Sequence, residues 1–166
     1  AERHDAPLAS LGGTVEDALF RQYGIDVVIE TPKGQRRLGR WWKRTMPFAY
    51  GYIASTTGAD GDEVDCYVGD DLSATAVYVV DQSKLDSKRF DEHKCFLGFP
   101  SSDAAKAAYL AGHTDGAAIF RGITTMGIGQ FKTWLASGNL RRPLLRSFDA
   151  CASCEAGDCL EHAASS

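Results

Sequence analysis

Hydrophobic and polar positions alternate in short runs over much of this chain, and a helical spacing shows mainly in its later part. "IDVVIE" (25–30), "PFAYGYI" (47–53), "VDCYVG" (64–69), "AVYVVD" (76–81) and "EHKCFLGF" (92–99) read as strands, separated by Gly, Asp, Ser and Pro. "SSDAAKAAYLAG" (101–112) reads as a helix capped by Ser101 or Ser102 and stopped by Gly112. A further apolar run, "AAIFRGITT" (117–125), precedes a helix within "GIGQFKTWLASG" that Gly138 stops. A short helix is also predicted in "TVEDALFRQYG" (14–24), with Thr14 as its cap, Asp17 three residues on and Gly24 as its stop. No internal repeat is visible. The order of elements predicts a mainly β, α+β fold: an antiparallel, barrel-like sheet with helices packed outside it. The expected organisation is an N-terminal arm and helix (1–24), a barrel domain (25–147) and a Cys-rich tail (148–166).

Period-two alternation says which side chains can meet. Asp65 and Tyr67 face one way, Cys66 and Val68 the other. Val77, Val79 and Asp81 share a face opposite Tyr78 and Val80. Glu92, Lys94 and Phe96 share a face opposite Asp91, His93, Cys95 and Leu97, and Phe48, Tyr50 and Tyr52 form another. His93 therefore reads as a packed histidine, and Cys66 and Cys95 as core residues.

Composition narrows the function. A chain of 166 residues suits one core. Its net charge of -4 argues against a nucleic-acid footprint, and so against a nuclease. The cluster "PKGQRRLGRWWKR" (32–44) leaves room for a local anion site. Trp41 and Trp42 within it read as packing residues rather than as a platform for a nucleobase. No apolar run approaches bilayer length, and "AERHDAPLAS" holds no secretory apolar core. The expectation is a soluble protein of a reducing compartment. In the tail, Cys151, Cys154, Cys159 and His162 form C-x-x-C-x4-C-x-x-H, a candidate zinc set for which a disulfide or an unstructured tail is the plain alternative.

The acidic run "GADGDEVD" (58–65) carries the sharpest signal. One Asp suffices for an Asx turn, yet Asp60, Asp62 and Asp65 stand within six residues. Carboxylates gathered this closely stay ionised cheaply only beside a cation, and Mg²⁺ is the hard ion that takes such oxygens. If all three converge, the chain must bend at Glu63–Val64. The spacing does not match an EF-hand.

"YGYIASTTGADGDEVDCYV" resembles the signature of the soluble inorganic pyrophosphatases. With "TPKGQRRLG", "TMPFAYGYI", "VYVVDQ", "FDEHKCFLGF" and "FKTWLASG", the chain looks more narrowly like the pyrophosphatase-like domain encoded by phages and mobile elements. The resemblance spans about Ile25 to Gly138. It implies an OB-like, five-stranded antiparallel barrel with flanking helices and a Mg²⁺ site. It also implies metal ligation by Asp60, Asp62, Asp65, Asp81 and Glu92, with Glu30 as an early site glutamate. Asp62 is implied to orient or deprotonate the attacking water. Lys94 and Tyr50 are implied to hold phosphate, as are Lys33, Arg36 and Arg37 among the early basic residues. The implied substrate is a small phosphoanhydride, pyrophosphate first. Glu63 stands where the family has proline, Glu92 where it has Asp, and the late Tyr-Lys pair has no counterpart. Those departures keep a second reading: a virion structural or decorating module, with virion proteins or a second copy as partners. The implied location is accordingly the host cytoplasm or the particle.

Overall fold

The computed structural model describes residues 18–38 and 43–146. In chain order its strands are β1 (Ala18–Gln22), β2 (Ile25–Thr31), β3 (Arg36–Leu38), β4 (Lys43–Thr45), β5 (Ala49–Ile53), β6 (Asp65–Val68), β7 (Ala76–Ser83), β8 (Phe90–Leu97) and β9 (Phe120–Gly127). The helices are α1 (Ser102–Gly112), α2 (Gly116–Ile119) and α3 (Ile128–Ser137). The main sheet has 7 strands in the order β1-β2-β5-β6-β8-β7-β9 and curls into a half-barrel, while β3 and β4 form a separate hairpin.

The fold is mainly β with a few helices, as the patterning predicts. It differs from a five-stranded antiparallel barrel in two ways. The sheet has 7 strands, and β6 and β8 run parallel. Part of the difference comes from the N-terminal segment, where the predicted helix is instead β1, paired antiparallel with β2. Gln22 sits opposite Ile25, so Tyr23 and Gly24 make a two-residue turn, with φ of 54° and 79°. Positive φ at both central residues matches the right-handed twist of a hairpin. Gly24 therefore turns the chain rather than ending a helix. The proposed cap, Thr14, lies outside the described residues.

Both faces of the sheet are covered, which explains why β7 is buried almost throughout. On one face Val27, Cys66, Val79, Cys95 and Leu97 pack with Phe131 of α3 and with Leu140. On the other, Tyr50, Tyr67, Tyr78, Val80 and Phe96 pack with Ala105, Ala108 and Tyr109 of α1. Those three helical positions lie at i, i+3 and i+4, one stripe of the helix. The Ser101 side chain caps α1, accepting the Ala104 N–H at 3.1 Å. Among the described residues no helix is long and apolar enough to cross a membrane.

Gly51 explains the glycine of Tyr-Gly-Tyr. A Cβ there would lie 1.8 Å from the Val28 carbonyl oxygen, so only glycine lets β2 and β5 approach this closely. The approach fixes β5 and so sets Tyr50 on the aromatic face.

Candidate functional site

Four strands, β5, β6, β7 and β8, contribute to a polar cluster on the α1 side of the sheet. At its centre is Lys94 of β8, only 4% exposed. Its register partner on β6 is Asp65, and their side chains form an ion pair. Lys94 Nζ also donates to Tyr50 Oη at 3.1 Å and lies 3.2 Å from Glu92 Oε2. An ammonium has three protons to place, and these three oxygens receive them. Without them, a buried ammonium would cost several kcal/mol in lost hydration.

The charges do not balance, since two carboxylates share one ammonium. Burial pushes the Glu92 carboxyl up to about 7, and the nearby charges of Asp65 and Asp60 push the same way against Lys94. Burial also opposes ionisation of Asp65. There the charge and hydrogen bond of Lys94 prevail, aided by Tyr50 and Glu92, and hold the carboxyl below its ordinary range. For Lys94 burial again works against the charge, but Tyr50, Asp65 and Glu92 outweigh it and raise the ammonium well above its usual value. Lys94 is thus cationic at any working pH.

Aromatic rings form the floor. The Tyr50 ring meets Tyr67 edge-on with centroids 4.7 Å apart, and Tyr67 stacks on Phe96 at 4.7 Å. The Arg37 guanidinium, carried by β3, lies 4.6 Å from the Tyr50 ring centroid. A cation so placed is attracted to the ring face. Burial lifts the Tyr67 phenol to about 12 and pushes Tyr50 higher still. Both are proton donors rather than phenolates.

Of the residues predicted from sequence, Tyr50, Asp65, Glu92, Lys94 and Arg37 come together. Lys33 and Arg36 are exposed, and Lys33 pairs with Asp70 at 2.6 Å. Glu30 is exposed at the break in register between β2 and β5. Asp60 and Asp62 are exposed on a turn around Gly61, where the Asp62 N–H donates to Asp60 Oδ1 at 3.0 Å. Among the described residues no three ligating groups form a cluster that could hold a metal ion.

Asp81 lies apart from this cluster. It is fully buried on the other face of β7, with Val77 and Val79. Its carboxylate accepts the backbone N–H groups of Leu144 and Leu145 at 2.9–3.1 Å. His93 Nε2 lies 3.3 Å away but makes no hydrogen bond, and its ring meets Trp134 edge-on. The sequence count placed Asp81 opposite Val80, and the pairing of Val80 with Lys94 across β7 and β8 turns it away from the Lys94 face.

Sequence reasoning missed Gln82, Tyr109 and Asp91. Gln82 faces Glu92 across the β7–β8 pair, and the register slips just beyond it, so Phe90 rather than Asp91 opposes Ser83. Asp91 is the extra residue, and the bulge lets it reach the face that simple alternation denied it. Gln82 Nε2 donates to Asp91 Oδ2 at 3.1 Å and to Glu92 Oε2 at 3.4 Å. Tyr109 Oη donates to Gln82 Oε1 at 2.7 Å. The only advance signal was a buried-strand glutamine beside two acids across a hairpin. A cleft lined by Asp26, Thr56 and Lys132 lies apart, and none of the predicted site residues lines it.

A family model described as Inorganic Pyrophosphatase matches residues 11–136, more than half of the chain. The chain belongs to the inorganic pyrophosphatase family. Comparisons with curated proteins and with solved structures return no match. In this pyrophosphatase-family chain, the Tyr50–Asp65–Glu92–Lys94 cluster lies within the matched segment. The tail residues Cys151, Cys154, Cys159 and His162, proposed for zinc, lie outside the described residues, as do Trp41 and Trp42.

Proposed function

We propose that this protein hydrolyses pyrophosphate, or a related phosphoanhydride, to phosphate with the help of Mg²⁺. One observation carries the reading: a buried, permanently charged Lys94 shared by Tyr50, Asp65 and Glu92 on a face that Arg37 also approaches. Family membership supports it.

The donor set fits Mg²⁺ in chemistry. Its groups are carboxylate oxygens, without nitrogen or sulfur, and they outnumber the cations beside them. Asp65 and Glu92, with Asp60 and Asp62 on the adjacent turn, are the residues that would hold the ion. When bound, Mg²⁺ would screen the phosphate charge and make a bound water more acidic. The chain's own residues supply the rest. Lys94 and Arg37 attract the anionic substrate, and the Tyr50 hydroxyl donates to a phosphate oxygen. These groups stabilise the charge that collects on the leaving phosphate. Exposed Asp62 orients the attacking water and takes its proton. Lys33 and Arg36, exposed on and before β3, draw the anion in.

The test is phosphate release from pyrophosphate with and without Mg²⁺, for the wild type and for Asp62→Asn. Turnover that needs Mg²⁺ and falls at least a hundredfold in the variant is expected on the scale of a lost transition-state contact (about 10²–10³). A wild-type protein inert toward pyrophosphate and other phosphoanhydrides with Mg²⁺ or Mn²⁺ would sink the proposal.

A further inference from the structure

The strand β7 is irregular on both sides at one residue. Against β9 its register shifts between Asp81 and Gln82, and against β8 between Gln82 and Ser83. Gln82 is only 4% exposed, and its side chain lies on the Lys94 face, opposite Glu92. Two carboxylates, from Asp91 and Glu92, meet its single amide nitrogen. Carboxylates only accept hydrogen bonds, so the amide must present its N–H₂ to them and its carbonyl elsewhere. The phenol of Tyr109, itself fully buried on α1, donates to that carbonyl at 2.7 Å. Flipping the amide would place its oxygen against two anions and leave the phenol proton facing N–H₂.

We infer that Gln82, held in one orientation by Tyr109, is a positioning residue that gathers the Asp91 and Glu92 carboxylates on the Lys94 face for cation binding. This rests on the hydrolase reading for its purpose and on the structure for its geometry. The amide's two protons let like charges stand together without neutralising them, as a second ammonium would. Both acids are thereby held on one face, as a shared divalent ion requires. Tyr109 belongs to the core of α1 and gives its hydroxyl proton to the amide carbonyl, so its influence on the acids passes through the amide.

The experiment measures the rise in melting temperature caused by Mg²⁺ alone, without substrate, since a ion bound by the folded state stabilises it. Proteins compared are wild type, Gln82→Met, Tyr109→Phe and the double variant, each first shown to melt cooperatively without Mg²⁺. The Mg²⁺ concentration giving half the maximal rise should increase roughly three- to tenfold in either single variant, the scale of one lost hydrogen bond. The double variant should be no weaker than Gln82→Met, because Tyr109 acts only through the amide. Tyr109→Phe, the milder change, suffices if Gln82→Met does not fold. An unchanged half-point in Tyr109→Phe, additive effects, or no Mg²⁺-induced rise in the wild type overturns the inference. A wild type that binds Mg²⁺ but releases no phosphate from pyrophosphate overturns the hydrolase reading, and the half-points still decide the role of Gln82.

Discussion

Asp65 and Lys94 are register partners on the parallel strands β6 and β8, and their side chains pair on the aromatic face of the sheet. A parallel neighbour 29 positions away in sequence thus supplies the countercharge for a buried ammonium. Lys94→Met removes the ammonium and leaves Asp65 and Glu92 facing each other. Breaking a buried pair by removing one partner costs about 3–5 kcal/mol. Urea unfolding at neutral pH should register a loss of that order, and pyrophosphate hydrolysis should fall by about 10²–10³. A variant as stable as the wild type would show that the cluster contributes nothing to folding.

Gly51→Ala tests whether the Tyr-Gly-Tyr glycine is there for space. The added Cβ would meet the Val28 carbonyl carbon and oxygen and the Ile29 Cα, all backbone atoms of β2. Strands cannot yield as a flexible side chain would, so β2 and β5 must separate. A loss of about 2–4 kcal/mol is expected, in the range of overpacking a well-filled core or more. Denaturant titration reads it directly, and Tyr50 should lose its place with β5.

Much of this was legible in the chain because period-two alternation survives folding. The faces read for Asp65, Tyr67, Val79, Lys94 and Cys95 are those observed. Ser101 and Gly138 mark helix ends as read. What failed had local physical causes. Gly24 serves equally as a helix stop or as a hairpin turn, and only pairing with β2 decides. The β3–β4 hairpin is too short for a period to show, and the β6–β8 parallel pair joins distant segments. At the site, alternation put Asp81 on the face of Val79, and only the pairing of Val80 with Lys94 shows that this face lies away from Lys94. The bulge at Asp91 breaks alternation altogether, which is why Gln82 and Asp91 were not foreseen.

His113 gives the fold an acid-side weakness. It stacks on Tyr109 with centroids 4.5 Å apart. Burial, then the cations Lys94 and Arg37, depress its pKa from 6.5 to about 3, against Asp65 and with a smaller push from Arg44. The folded protein keeps it neutral while the unfolded chain takes up a proton below pH 6.5. Stability must therefore fall as pH drops from about 6.5 toward 3. His113→Phe preserves the stack and removes the proton site. Relative to that variant, the wild type should lose about 1–2 kcal/mol between pH 7 and pH 5, read from urea unfolding across that range. Parallel stability curves would mean that His113 is free to protonate in the fold.

Asp81 separates a structural role from a catalytic one. Its carboxylate accepts the Leu144 and Leu145 N–H groups and so ties the segment after α3 to β7. Asp81→Asn keeps the shape but replaces one accepting oxygen with a donating amide, which then meets a backbone N–H head-on. A buried polar group left unmatched costs about 1–3 kcal/mol, more where a charge is involved. The melting temperature should fall accordingly. The residual hydrolysis per folded molecule, assayed well below that temperature, should stay within a few-fold of wild type, because the side chain lies on the face away from Lys94. Asp62→Asn should show the converse, an intact melting temperature with activity lost, since Asp62 is exposed on its turn. A well-folded Asp81→Asn protein as inactive as Asp62→Asn would return Asp81 to the metal set and would mean that β7 reverses its face when the ion binds.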